Sequence, residues 1–453
     1  IQIKSSNQDI FIDYIDLNYL IINDKDLTSS WSIPKSENVI NNLGQPIYIN
    51  SLFLGCHFPL TQSIIESDQK LAKIRYFAGK KFSKLTHNKD GYYETWKTVI
   101  GVSRSNQISV VRKDFFNYIA KISVLSPFRK HYSNHITKKS ADSFKDVEQG
   151  CSQYGLPPLD SYVALNKFSV TKYAKKIKSN FGIDLSQHTS NYDIDKIKKD
   201  FVSYIHKYKT NYLQISDQEN LRNSDDLYRI TDLWEHILSA YEEMIQAAKE
   251  EKIENFWISS PSFTNLSPFH LQWSNSIIAE VPEKDDCQID QMLTLSDQYY
   301  WSLYEERQIQ FPLKNLQTIE KVKLDKNVDD DSFRSFLFGS VMRGSSFNEI
   351  KGQNWYVNSE VISWAESNFN VLQHSQLFGG QPMKGEIYGY SAFEGNDGFI
   401  SFRNPGNEVK KFSIKIDEKI GLREKSVTLY RSTVLHYRTT DQKEIENGIP
   451  VHY

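Results

Sequence analysis

Hydrophobic and polar positions follow three different patterns along this chain. Residues 1–120 contain short runs in which apolar and polar residues alternate, such as KLAKIRYFAGKKF and YETWKTVIGVS, and the turns between them carry Asn, Asp and Gly. Alternation with a period of two is typical of half-buried strands. We therefore expect a β-rich region over residues 1–120.

Between residues 121 and 335, strand-like runs alternate with helix-like runs. Apolar residues recur at helical spacing from Ile230 to Ala248, which predicts a long amphipathic helix. A second helix is predicted in VTKYAKKIKSNFG, ending at Gly182. The strand candidates are LDSYVAL, NYLQIS, ENFWISS, SNSIIAEV and IQFPL. This alternation implies parallel strands covered by helices, so we expect a (β/α)8-type barrel with its site at the strand carboxyl ends.

From residue 345 to residue 453 the strand pattern returns. GEIYGYSAF and GFISFRNP flank EGND, and Asn396-Asp397-Gly398 is a strong hairpin signal. KKFSIKI, SVTLYRS and TVLHYRT follow at the short spacing of a sandwich. The expected fold class is thus α/β: a barrel between an N-terminal β-rich region and a C-terminal antiparallel β-sandwich.

Charge and hydropathy narrow the classes of partner. The net charge is −2, from 54 basic and 56 acidic residues, and no basic stripe is present that would bind nucleic acid. No apolar run approaches the roughly 20 residues of a membrane span. The chain begins with Ile1 rather than Met, so the sequence leaves open whether a leader segment has been removed. An extracellular, cell-surface or cytoplasmic location is equally compatible with these features.

Motifs for cofactors and metals are missing. The sequence contains no GxGxxG, no phosphate-binding Gly-rich loop and no GxSxG elbow, and its three cysteines are scattered. His131 and His135 are spaced for one helix face, but the Glu that follows the first His in hydrolytic zinc helices is absent. We expect no cofactor and no metal.

One segment concentrates polar and aromatic residues where a barrel would bind its ligand. SPSFTNLSPFHLQWSNSIIAEVPEKDD holds a strand end, a cluster of aromatics, another strand and the adjacent acids Asp285 and Asp286. Such groups above parallel strands favour a sugar-sized pocket with Gln272 and Trp273 at its rim. The alternatives are an ordinary loop with solvated acids, and a Trp273 that packs between strand and helix.

The order of several segments resembles a known family. LFLGCHFPL, YFAGKKF, YGLPPLDSYV, SPFHLQW, QFPL, NVLQHSQLFGGQP, EIYGYSAF and FRNP occur in the order found in α-galactosidases and α-N-acetylgalactosaminidases, from about residue 50 to about residue 415. These are retaining glycosidases with a barrel and a C-terminal β-sandwich. The resemblance implies an α-linked galactose or N-acetylgalactosamine ligand and two carboxylates roughly 5–5.5 Å apart.

The nucleophile expected from this resemblance is replaced. The family places Lys-any-Asp at the end of the strand matching NYLQIS, where this chain has Gln214 and Ser216. A serine hydroxyl cannot replace a carboxylate nucleophile unaided. Asp217 is a displaced candidate, but a shift of one residue places it on the other strand face unless a bulge intervenes.

Other family positions also differ, although one carboxylate is retained. After LDSYV the chain has Leu165 and Asn166 instead of two sugar-binding acids, and Tyr132 begins a stretch that departs from Tyr-Asn-Ser-Trp. Asp285 falls near the acid/base position. We interpret the chain as a degenerate glycosidase that binds carbohydrate or serves in assembly, with a protein partner or a second copy as further candidates. The alternative is an active retaining α-glycosidase that uses a displaced carboxylate.

Overall fold

The computed structural model describes separate stretches of the chain. The described residues are 2–4, 14–31, 43–68, 73–81, 92–94, 96–123, 162–166, 169–172, 180–182, 199, 202–203, 206, 212–215, 227–253, 256–261, 266–280, 288–320, 328–343, 346–347, 357, 361, 364–365, 367–395, 397–406, 408–414 and 420–422.

Among its described residues, the amino-terminal part consists of antiparallel strands followed by an α-helix. The strands are β1 (Gln2–Lys4), β2 (Tyr14–Asn23), β3 (Ser30–Trp31), β4 (Ile47–Ile49), β5 (Leu52–Cys56), β6 (Gln62–Asp68), β7 (Lys73–Lys81), β8 (Tyr92–Glu94) and β9 (Thr98–Val102). They form a sheet of order β3-β4-β5-β9, a second of order β2-β7-β6 and the pair β1-β8. Helix α1 (Ile108–Ile122) follows and buries Val111, Phe115 and Ile119. The alternating runs are therefore strands, and the region ends in a helix that the alternation did not indicate.

An eight-stranded sheet forms the middle of the chain. Its strands are β10 (Tyr162–Asn166), β11 (Ser169–Lys172), β12 (Asn180–Gly182), β13 (Tyr212–Ile215), β14 (Trp257–Pro261), β15 (Ser276–Glu280), β16 (Leu316–Glu320) and β17 (Ser346–Phe347). Helices α2 (Leu227–Glu250), α3 (Ile289–Trp301) and α4 (Asp330–Arg343) connect successive parallel strands. Between β14 and β15 the connection instead contains a short 3₁₀ helix, Pro268–Gln272.

The parallel strands of this sheet, from β10 through β13 to β17, lie in the order of the chain. The full order runs β12-β11-β10-β13-β14-β15-β16-β17, and from β10 through β13 to β17 each strand is parallel to its neighbour. Right-handed crossovers that always step in the same direction leave their helices on one face of a sheet. This order therefore differs from that of a doubly wound sheet, in which the direction reverses and both faces are covered.

Two predicted elements in this region are wrong. The helix predicted to end at Gly182 is replaced, within the described residues, by the antiparallel strands β11 and β12. Ser169–Lys172 contains the β-branched residues Val170 and Thr171, which suit a ladder with β10. The strand predicted in IQFPL begins later, at Leu316, because Pro312 has no N–H to donate and a 3₁₀ turn, Leu313–Asn315, comes first.

The carboxyl-terminal part contains a short helix and one described sheet. Helix α5 (Phe369–Leu372) precedes the antiparallel strands β18 (Gln376–Gly379), β19 (Tyr388–Glu394) and β20 (Asp397–Arg403). Glu394 pairs with Asp397, so the predicted hairpin is present, and Gly395 takes the positive φ (64°) that its turn requires.

The three strands predicted after the hairpin are not confirmed. Residues 410–414 of KKFSIKI are not a strand; there Lys410 donates to the Gly385 carbonyl, and the Phe412 ring stacks on Phe378. SVTLYRS and TVLHYRT lie outside the described residues, so the predicted sandwich stays a prediction.

One buried core joins the three parts of the chain. It includes Tyr48 and Phe115 from the amino-terminal part, Phe269 and Phe311 from the connections of the large sheet, and Tyr388 from β19. Because these side chains share one cluster, the three parts pack against one another and cannot lose contact without exposing apolar surface.

Candidate functional site

The parallel strands present two chemically different faces. In each parallel pair, residues that are paired across the two strands take the same face of the sheet, and strand positions two apart also share a face. The aliphatic face consists of Val163, Leu165, Leu213, Ile215, Ile258, Ser260, Ile277, Ala279, Leu316, Thr318, Glu320 and Phe347. The polar face consists of Tyr162, Ala164, Asn166, Tyr212, Gln214, Trp257, Ser259, Pro261, Ser276, Ile278, Glu280, Gln317, Ile319 and Ser346.

Helices cover the aliphatic face. Ser260 Oγ donates a 3.1 Å hydrogen bond to Tyr241 Oη of α2, and burial raises the pKa of that phenol, so it stays protonated. Ile277 and Leu316 are buried in the same core as α3 and α4. The aliphatic face is therefore the one that the connecting helices shield from water.

A hydrogen bond on the polar face agrees with the division of the strands into an aliphatic and a polar face. Trp257 Nε1 donates to Ser276 Oγ at 3.1 Å, and both side chains are buried. Both residues belong to the polar face by register, and their hydrogen bond crosses between neighbouring strands on that face. Amides, hydroxyls and aromatic rings of this kind are the groups that line sites for uncharged polar ligands.

Two of the residues singled out from sequence belong to this polar face. Gln214 is aligned with Ala164 on β10 and with Ser259 on β14. Asn166 is the last residue of β10 and thus lies at the carboxyl edge of the sheet, where α/β proteins bind ligands. The register therefore places Gln214 and Asn166 on the same face of adjacent strands.

Four other predicted site residues lie outside the described residues: Tyr132, Ser216, Asp217 and Asp285. Ser216 and Asp217 follow the last residue of β13 directly. Asp285 comes five residues after Glu280, the end of β15, and Tyr132 is in the stretch after α1. Their roles as nucleophile, acid/base and sugar ligand stay predictions.

Gln272 and Trp273 are buried at the opposite end of the strands. Trp273 is 5% exposed, and its Nε1 donates to Glu242 Oε1 on α2 at 3.0 Å. The Gln272 amide donates to the carbonyls of His57 and Phe269. This is the packing between strand and helix that the sequence left as an alternative to the pocket rim.

Backbone geometry explains why this segment is not at the carboxyl edge. Asn275, two residues after Trp273, donates its N–H to the Ile258 carbonyl near the start of β14, and its side chain accepts from the Ile258 N–H. The segment has thus already returned to the amino ends of the strands. A pattern of aromatic and polar residues cannot distinguish the two ends, because both kinds of residue also serve in packing.

Glu280 is the residue of this face that the sequence analysis missed. It ends β15 and pairs with Ile319, and it lies four residues after Ser276 on the same face. The signal was present in SIIAE, since every second residue from Ser276 to Glu280 takes the same face. The acid/base prediction went instead to Asp285, five residues later in the sequence, because of the family resemblance.

The described residues hold no candidate metal centre. No group of three or more His, Cys, Asp or Glu side chains comes together among them. His131 and His135 are not part of the described chain. Within the same residues, no helix has the length and apolar character to cross a membrane.

Comparisons with known proteins do not assign this chain to a family. No protein-family model and no curated protein matches the sequence. Among solved structures, the chain is similar to the crystal structure of a GH18 chitinase from Pseudoalteromonas aurantia, with 10% identity and a TM-score of 0.25. That alignment covers 40% of this chain and 69% of the chitinase chain. A likeness this low carries no argument about the function of this protein.

Proposed function

We propose that this chain is a glycoside-hydrolase-like protein that binds carbohydrate at the carboxyl edge of the polar face. The single observation that supports the proposal is the separation of the parallel strands into an aliphatic face covered by helices and a face on which amides, hydroxyls and aromatics are concentrated. A parallel sheet buried on both faces by helices would be aliphatic on both.

We further propose that the sheet closes into a (β/α)8-type barrel whose lumen is the polar face. The supporting argument is the strand order, which steps in one direction from β10 to β17. The interior of a barrel is lined by one face of every strand, and closure shields that face from bulk water. The α-galactosidase type, and with it an α-linked galactose or N-acetylgalactosamine ligand, rests on the resemblance of the sequence segments.

Binding without hydrolysis is the form of the function that we propose. Ser216 stands where the resemblance requires a carboxylate, and a retaining mechanism needs two carboxylates. Gln214 offers an amide where the family has Lys, and it can hydrogen-bond a sugar hydroxyl without carrying a charge.

The test combines a glycan array, calorimetry and a hydrolysis assay on the full chain. We expect binding of 4-nitrophenyl α-galactoside or α-N-acetylgalactosaminide without release of nitrophenol. Gln214→Ala should weaken this binding about five-fold, which corresponds to one lost hydrogen bond. The control is Gln246→Ala, because Gln246 is an exposed residue of α2 whose side-chain amide donates to Glu250 of the same helix.

Two results would contradict the proposal in different ways. Absence of binding to any α-linked galactose or N-acetylgalactosamine glycan would remove the carbohydrate function. Turnover, together with a covalent adduct of an activated fluoro-glycoside located by mass spectrometry on Asp217 or another carboxylate, would show that the alternative of an active retaining glycosidase is correct.

A further inference from the structure

Two glutamates end neighbouring strands of the parallel sheet, but they belong to opposite faces. Glu280 is the last residue of β15 and Glu320 is the last residue of β16. Glu280 pairs with Ile319, so Glu320 is one position further along and alternates to the other face. By register, Glu280 is on the polar face and Glu320 is on the aliphatic face.

Contacts elsewhere in the same strands fix which face is which. Ser276, four residues before Glu280, accepts the Trp257 indole N–H on the polar face. Leu316, four residues before Glu320, is fully buried in the core that contains α3 and α4. The assignment of the two glutamates therefore rests on described contacts on both faces.

Glu280 is the single charged residue among the described polar-face positions. The other positions there hold Asn, Gln, Ser, Tyr and Trp besides small or aliphatic residues, and within that described set none is Lys, Arg or His. A carboxylate set among neutral groups at the ligand-binding edge is suited to accept hydrogen bonds from neutral hydroxyls. Such bonds to a charged acceptor are about twice as strong as those between neutral groups.

We propose that Glu280 is the ligand-contacting carboxylate of this site and accepts hydrogen bonds from two neighbouring hydroxyls of a bound, uncharged sugar. The inference rests on the proposed carbohydrate binding and deepens it, because it assigns the charged group to Glu280 by register. It involves no covalent step. Both carboxylate oxygens have lone pairs for these bonds, which a glutamine at the same position would reduce to one acceptor.

The test compares Glu280→Gln with Glu320→Gln, its counterpart on the other face. With 4-nitrophenyl α-N-acetylgalactosaminide and α-galactoside as probes, calorimetry should show affinity lowered about 10- to 100-fold by Glu280→Gln, the range for a lost charged hydrogen bond. Glu320→Gln should leave affinity unchanged. Glu280→Asp, which keeps the charge on a shorter side chain, should recover part of the loss.

A second measurement on the unmodified protein avoids dependence on how the variants fold. Carbodiimide labelling of carboxyl groups, followed by mass spectrometry, should show Glu280 protected by saturating probe and Glu320 labelled equally with and without it. Binding by the unmodified protein with an unchanged Glu280→Gln affinity, or with no protection of Glu280, overturns this inference and leaves carbohydrate binding standing. No binding by the unmodified protein overturns the proposed function and this inference together.

Discussion

Asp297 is the acceptor at the centre of a buried polar junction. Its carboxylate accepts 2.6 Å hydrogen bonds from Arg343 Nη1 of α4 and from Tyr390 Oη of β19, and a third from Tyr388 Oη. Arg343 is 0% exposed. Burial, together with the charge of Asp297, raises the pKa of both phenols, so they remain donors. One carboxylate thereby connects α3, α4 and the carboxyl-terminal sheet.

Removal of the Asp297 charge should destabilise the protein strongly. Asp297→Asn leaves the Arg343 guanidinium buried without its counter-charge, and breaking a buried pair in this way costs about 3–5 kcal/mol. Urea unfolding measures the loss. The control is Asp331→Asn, which removes the pair to Arg334 on the surface of α4, where the Asp331 side chain is 63% exposed. That pair should contribute less than about 1 kcal/mol, and equal losses in the two variants would contradict the prediction.

At the scale of elements, the segment between β14 and β15 takes the place that helices occupy between other parallel strands of the large sheet. Residues 266–275 are buried throughout, with the 3₁₀ helix Pro268–Gln272 at their centre. Ser267 caps that turn by accepting the Phe269 N–H, and Pro268 suits its first position because it has no N–H to leave unpaired. A short element can cover the strands here because Phe269 and Leu271 bury their side chains in the core.

His270 in this segment should make stability depend on pH. Burial lowers the pKa of His270 to about 3, below its ordinary value of 6.5. Between these values the unfolded chain binds a proton that the folded chain does not, so stability falls as pH drops through this window and is fully present above 6.5. The slope is about 1.4 kcal/mol per pH unit from this residue.

The measurement is urea unfolding of the unmodified protein and of His270→Leu at pH 7 and pH 5. The variant should lose less stability over this interval, by about 2 kcal/mol, since Leu cannot bind a proton. The comparison uses the change with pH within each protein, so a different packing of Leu at pH 7 does not affect it. Parallel pH profiles of the two proteins would show that His270 is not the residue responsible.

At the scale of the whole molecule, a set of buried hydrogen bonds, here called the seam, links the amino-terminal part to the connections of the large sheet. It joins Gly44, Gln45 and Tyr48 to Leu266, Ser267 and Gln310. The Gln45 side chain is 3% exposed; it donates to the Leu266 carbonyl at 2.8 Å and accepts from the Gln310 N–H at 3.0 Å. Tyr48 Oη donates to Gln310 Oε1, and Ser267 Oγ donates to the Gly44 carbonyl. These bonds link residues more than 200 positions apart in sequence.

Gln45→Ala should weaken this seam measurably. It leaves a buried carbonyl at Leu266 and a buried N–H at Gln310 without partners, and each such group costs about 1–3 kcal/mol. Thermal unfolding and limited proteolysis should show lower stability and earlier cleavage of the amino-terminal part. The control is Gln373→Ala, because the Gln373 side-chain amide donates to a carbonyl three residues away, that of Asn370. A Gln45 variant as stable as the Gln373 variant would argue against a structural role for the seam.

The sequence alone determined the elements whose periodicity is strong. The amphipathic pattern from Ile230 to Ala248 corresponds to α2, and the alternating runs correspond to β7 and β9. The strand candidates ENFWISS and SNSIIAEV correspond to β14 and β15, and the hairpin signal to β19 and β20. These features are local, because side-chain period and turn chemistry act within a few residues of the chain.

Only the tertiary structure decided which residues share a face and which end of the sheet they occupy. Trp273 and Glu280 are seven residues apart in one segment, yet Trp273 packs on α2 near the amino ends of the strands while Glu280 ends β15. The physical reason is that strand register places residues from distant parts of the chain side by side. Neither the register nor the path of a connection back to the amino ends of the strands can be deduced from local hydrophobicity. The buried pair of Asp297 and Arg343 was hidden from sequence for the same reason, since a charge looks solvated until its partner is known.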